Sequence, residues 1–165
     1  MNPYSPVKWL MARLWRNFGH VYGPVYRSGQ MGPVRLVITY LLYKPKSMIA
    51  LNQDESSYKE RFEKWFMTHM VGVGYASYNF SADGNTDSKA TNEVITSLES
   101  WNKLGIKCIV HCAGGRDRTG GVLGMWLMRF EHMSLKEWLE QSAIHRIPSQ
   151  GWIEAVIGEC IGWTP

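Results

Sequence analysis

Between residues 25 and 110, short runs rich in β-branched residues alternate with longer stretches whose apolar positions recur every three to four residues. A mostly parallel sheet with crossover helices leaves this pattern in a sequence. Residues 25–27 predict a first strand, 33–43 a helix and 47–51 a second strand. Residues 55–70 predict a helix with Tyr58, Phe62, Trp65, Phe66 and His69 on one face, and 74–80 a third strand. A helix over 88–104 turns Val94, Ile95, Leu98 and Trp101 inward, and 106–110 forms a short buried strand. From Thr119 onward the pattern is helical almost to the end. Ser134 and Glu137 have capping-box spacing, because a serine hydroxyl and a glutamate three residues on can satisfy each other's free amides at a helix start. Leu135, Trp138, Leu139 and Ile144 form the inward face of that helix, Pro148 stops it, and 150–161 makes a last one. The expected fold class is α/β: a small, mostly parallel central sheet of about four to five strands flanked by helices.

Ahead of this, Val7, Leu10, Met11, Leu14, Trp15 and Phe18 fall at helical spacing, with Lys8, Arg13 and Arg16 elsewhere on the wheel. Gly23-Pro24 ends that stretch. Residues 1–22 therefore predict an N-terminal amphipathic arm and 23–165 the domain proper. A stripe packed on its own domain is the commoner use of such a helix; contact of residues 7–18 with a membrane surface is the alternative. The length of 165 residues suits one domain. The net charge of +4 suits anionic substrates but falls short of a nucleic-acid protein's cationic face. Cys108, Cys112 and Cys160 are too few for a disulfide framework, which predicts a reducing setting, the cytoplasm, that of a host cell included. The longest largely apolar runs, 36–43 and 120–128, fall well short of the ~20 residues needed to span a bilayer.

The chemistry is carried by His111-Cys112-Ala113-Gly114-Gly115-Arg116-Asp117-Arg118-Thr119-Gly120, set between a strand and a helix. A Gly-rich strand-to-helix turn lets backbone N–H groups converge, and the helix start adds partial positive charge, so an anion such as phosphate is held there. Ala113, Gly114, Gly115, Arg116, Asp117 and Arg118 are the expected phosphate-binding positions. A cysteine at the start of that turn feels the same field, which favours thiolate over thiol. Arg118 can present its planar fork to two phosphate oxygens, and the Thr119 hydroxyl can donate to the Cys112 sulfur. Two rival motifs fail. Gly115 to Gly120 lacks the Lys-Ser/Thr of a Walker A loop, and Gly72 to Gly74 lacks the third glycine of a dinucleotide loop. Five scattered histidines and no Cys-x2-Cys argue against a metal site.

His-Cys-x5-Arg-Thr-Gly resembles the signature loop of the cysteine-dependent protein tyrosine phosphatase superfamily. Tyr26-Arg27-Ser28-Gly29-Gln30 is similar to the opening strand of its small dual-specificity-like branch. The resemblance implies a dual-specificity phosphatase-like fold, a cysteinyl-phosphate intermediate, no cofactor and no metal. It also implies a general acid on an earlier loop. Asp83, in Asp-Gly after a strand, is the choice for that acid. Asp87 stands at a helix N-cap, where backbone amides favour its anion. Asp117 is the runner-up, since Gly-Arg-Asp-Arg-Thr-Gly is similar to bacterial lipid-active phosphatases. His111 would orient the loop and support the thiolate, or merely end a strand. Cys108 lies ~13 Å upstream of Cys112 in an extended strand, too far for a disulfide.

The expected activity is hydrolysis of phosphotyrosine or phosphoserine/threonine proteins, or another phosphomonoester. Phosphoinositides, which Arg116 would suit, and RNA 5′-triphosphate ends are alternative substrates for the same chemistry. A catalytically inactive phosphate-binding module is the alternative outside enzymes. A rhodanese-like sulfur transferase has no need of Arg118-Thr119-Gly120.

Overall fold

The computed structural model describes residues 15, 17–54, 56–71, 74–85 and 87–160. The amphipathic stretch expected over 7–18 lies outside them except for Trp15, Asn17 and Phe18, and so does Ile161. The described elements are β1 (Gly19–Tyr22), β2 (Val25–Gly29), α1 (Pro33–Tyr43), β3 (Ser47–Ala50), α2 (Tyr58–Trp65), β4 (Gly74–Ser77), α3 (Ser88–Lys103), β5 (Cys108–Cys112), α4 (Asp117–Phe130), α5 (Leu135–Ala143) and α6 (Gln150–Cys160). The sheet runs β1-β2-β5-β3-β4, antiparallel at β1–β2 and parallel elsewhere. The α/β class and the mostly parallel sheet of four to five strands are as the periodicity predicts.

Side-chain alternation along the central strands builds two cores. In β5, Cys108, Val110 and Cys112 face a layer made by α3, α4, α5 and α6, whose fully buried centre is Trp126, Trp138 and Trp152. Ile109 points the other way, with Met48, toward Leu36 of α1 and Phe66 and Met67. Chain order thus places the carboxyl end of β5, buried on both faces, at the middle of the sheet, where a loop leaving it meets the helix layer.

Three expectations change. Residues 19–22, assigned from sequence to the arm, are an edge strand: Tyr22 pairs with Val25, so Gly23-Pro24 is a two-residue hairpin turn rather than a helix break, with Gly23 at φ +50. The helix expected over 55–70 starts at Tyr58 and passes at Phe66 into a π-helical turn ending at Val71. Its aromatic stripe is only in part the buried face: Phe66 is buried and Phe62 half-buried, but Tyr58 is 60% exposed and Trp65 and His69 are exposed, whereas Glu60, Glu63 and Met67 are buried. The wider turn shifts the helical phase, and polar groups at the strand ends favour carboxylates on the inner side: Glu60 accepts from the Asp54 amide and from the Ser77 hydroxyl. The helix opened by the Ser134–Glu137 capping box ends at Ala143 rather than at Pro148, with Arg146 left-handed at φ 71.

Candidate active site

The segment 113–116 joins β5 to α4, so Cys112 ends the strand and Arg118 lies in the first turn of the helix. The loop is tied down along one side by β2. The Gln30 amide donates to the Cys112 carbonyl at 2.8 Å, and Arg27 Nη2 donates to the Gly115 carbonyl at 2.6 Å. Gly115 has φ +67, and a Cβ there would collide with the main chain of Ser28 and Gly29, so both its conformation and its surroundings require glycine. Asn17 Nδ2 donates to the Gly114 carbonyl at 2.7 Å from the outer side.

Cys112 is only 3% exposed. Thr119 is buried, and its hydroxyl has no hydrogen-bond partner among the described residues. Arg118 is half-buried, and its Nη1 reaches the carbonyls of Leu51 (3.5 Å) and Phe80 (3.4 Å), at the ends of the segments that follow β3 and β4. These long contacts are weak, and they leave most of the guanidinium's donors uncommitted. Ala113 and Gly114 are exposed on the loop, Gly115 is buried, and Arg116 spends its guanidinium on Asp117, with Nε 3.0 Å from each carboxylate oxygen.

Alternation turns His111 away from Cys112, to the α2 side of the sheet. It is fully buried with Nε2 3.4 Å from Glu63 Oε2. Burial pushes the imidazole down to about 4 and the Glu63 carboxyl up to about 8. Glu63 was not anticipated from sequence. Its signal was present in the i, i+3, i+7 set Glu60, Glu63 and Met67, which the aromatic stripe masks. The signal of Arg27 is a charge at an inward strand position.

The three aspartates separate cleanly. Asp87 caps α3, accepting from the amides of Lys89 (2.9 Å) and Ala90 (3.5 Å), as its position predicts. Asp117 is held by Arg116 and by the Ser149 amide at 2.6 Å, and its carboxyl lies below the usual range although burial opposes the shift. Asp83 is exposed on a loop whose Ala82 carbonyl accepts from Trp152 Nε1 of α6. The Ser81 hydroxyl (2.6 Å) and then the Asn85 amide (3.0 Å) lower its carboxyl. Both candidate carboxyls thus lie below the ordinary range, and of the two only that of Asp83 is free of other side chains' charges. Cys108 and Cys160 are free thiols; burial pushes Cys108 up to about 12, which makes it inert beside the loop. Among the described residues no group of three His, Cys, Asp or Glu is placed to hold a metal ion, and no helix is long and apolar enough to cross a membrane.

No family model and no curated protein sequence matches the chain. Solved structures do. The active form of Tk-PTP superposes with a TM-score of 0.71 at 21% identity, covering 90% of this chain and 99% of that one. TpbA of P. aeruginosa gives 0.67 at 16%, covering 90% and 85%. The core catalytic domain of the PP-IP phosphatase SIW14 from S. cerevisiae gives 0.67 at 22%, covering 85% and 83%. The chain has the fold of these phosphatases.

Proposed function

We propose that this protein is a phosphatase of the dual-specificity-like kind that hydrolyses phosphomonoesters through a cysteinyl-phosphate intermediate. The observation that carries this is the placing of Cys112 at the end of the central strand and Arg118 in the first turn of the next helix, across a loop that Arg27 pins at the Gly115 carbonyl. The shared fold supports it. In the first step the Cys112 sulfur attacks phosphorus, the bond to the leaving oxygen breaks, and Asp83 gives that oxygen a proton. In the second, water attacks the cysteinyl phosphate, Asp83 takes its proton, and inorganic phosphate leaves with the thiolate regenerated. Arg118 and the start of α4 stabilise the charge on the non-bridging oxygens. A bound phosphoryl dianion beside Asp83 would raise its carboxyl from the low position it has in the free chain, as the acid role requires.

Phosphotyrosine or phosphoserine/threonine proteins are the favoured substrates. Arg116, the residue that would suit a phosphoinositide, has its guanidinium engaged by Asp117. The test is release of phosphate from an aryl phosphate. The native chain turns over with a chelator present, and Cys112→Ser abolishes turnover while phosphate binding is retained. Saturable phosphopeptide binding without phosphate release from the native chain would refute an enzyme and leave a binding module.

A further inference from the structure

Among the described residues two arginines are buried, and they are treated differently. Arg129 is matched by a carboxylate, with Nη2 2.6 Å from Glu159 Oε2. Arg27, 4% exposed, has a carbonyl of the loop on Nη2, an Nε without a partner, and no ion pair with any carboxylate among the described residues. One neutral hydrogen bond does not offset the loss of water around a guanidinium, so a negative charge nearby is required to keep it there.

The surroundings narrow the source of that charge. Arg27 lies opposite Val110 and Gly29 opposite Cys112 in the parallel β2–β5 register, so alternation puts Arg27, Val110 and Cys112 on one face of the sheet. Among the described residues, the titratable groups that line the cavity beside Arg27 are His20 of β1 and His145 after α5, alongside Gln141 and Ser142. Helix α4 presents Leu123 and Leu127 there. A histidine cannot supply a negative charge, and His145 is pushed down to about 3, by burial first and by Arg27 second. Burial pushes Arg27 down to about 10, and the acidic side chain that the register sets on its own face of the sheet, two residues beyond Val110, is Cys112.

We propose that Arg27 and the Cys112 thiolate compensate each other as a buried charge pair. Arg27 is then a positioning residue that holds the nucleophile's charge from beneath the loop and leaves Arg118 for the phosphoryl group. This rests on the reading of Cys112 as the nucleophile. The pair also explains why one side chain both pins Gly115 and lies on the thiol's face of the sheet: loop shape and nucleophile charge are set together.

The experiment follows alkylation of Cys112 by iodoacetamide, an uncharged reagent, at pH 6 in the native chain, Arg27→Gln and Arg27→Lys. Glutamine keeps an amide donor for the Gly115 carbonyl but no charge, and alkylation is expected to slow about tenfold or more; lysine restores most of the rate. Equal rates in all three overturn the proposal. Melting gives the reciprocal: Cys112→Ala lowers the midpoint more in the native background than in Arg27→Gln, and equal decrements overturn it. If Arg27→Gln does not fold, the native and Cys112→Ala chains are melted from pH 8 to pH 4. A gap that closes toward acid supports the pair, and a constant gap refutes it. Native turnover of an aryl phosphate with alkylation indifferent to residue 27 sinks the pair alone. Alkylation that tracks residue 27 in a chain that hydrolyses no phosphomonoester sinks the phosphatase reading alone.

Discussion

Asp83 and Asp117 show how two carboxylates close to one loop are given different work by their contacts. Asp117 opens α4, where the helix start, Arg116 and the Ser149 amide all favour its anion, and it fastens the 149 segment to the loop. Asp83 is bound only by neutral donors. Asp83→Asn is therefore expected to lower kcat by about 10²–10⁴ for phosphotyrosine, whose leaving oxygen needs a proton. The loss shrinks for an aryl ester with a strongly acidic leaving group, because such an oxygen departs unprotonated. If Asp117→Asn and not Asp83→Asn produces that dependence on leaving group, the acid has been misassigned. Of these roles the Asp87 cap was legible from spacing. Glu63 and Arg27 were not, because each draws its meaning from a partner on another element: His111 for the first, Gly115 and Cys112 for the second.

At the scale of elements, α4 supports the loop from behind and is packed without slack. A Cβ on Gly121 would overlap the indole of Trp152, so that face of α4 accepts α6 only as glycine. Gly121→Val should destabilise the fold by about 1–3 kcal/mol through overpacking, read as a shift of the urea midpoint at constant slope. A midpoint within error of native would mean that α6 moves aside freely. The helices over Pro33–Tyr43 and Ser88–Lys103 were readable because their periodicity is unbroken and their ends are marked, by Pro33 in one and Asp87 in the other. β1 was hidden because a four-residue strand acquires its pairing only from β2. The inner face of α2 was misjudged because its buried side carries glutamates, and apolar periodicity cannot see a helix that packs polar groups against strand ends.

For the whole molecule, buried titratable groups couple stability to pH. His111 and His145 sit at about 4 and about 3 in the folded chain and regain an ordinary value of ~6.5 on unfolding. Below pH ~6.5 the unfolded chain binds protons that the folded one refuses, so their contribution falls as the pH drops toward those folded values. Glu63 acts in the opposite sense. Raised to about 8 from 4.5, it makes the folded chain hold a proton that the unfolded chain loses, so its contribution declines as pH rises through that window. The melting midpoint of Glu63→Gln is accordingly expected to gain on that of the native chain between pH 5 and pH 9. A pH-independent difference would show that Glu63 is already ionised in the fold.

From its letters alone this chain determined an α/β alternation, the strand-turn-helix that carries Cys112 and Arg118, and the spacing between them. Each depends on residues within about ten positions of one another, where backbone geometry dictates what periodicity and spacing mean. Sheet order, the face toward which His111 and Cys112 diverge, and the joining of Glu63 to one and Arg27 to the other were decided only when distant segments packed. A buried charge acquires its partner, and hence its protonation, from whatever the fold places against it, and no local pattern contains that information.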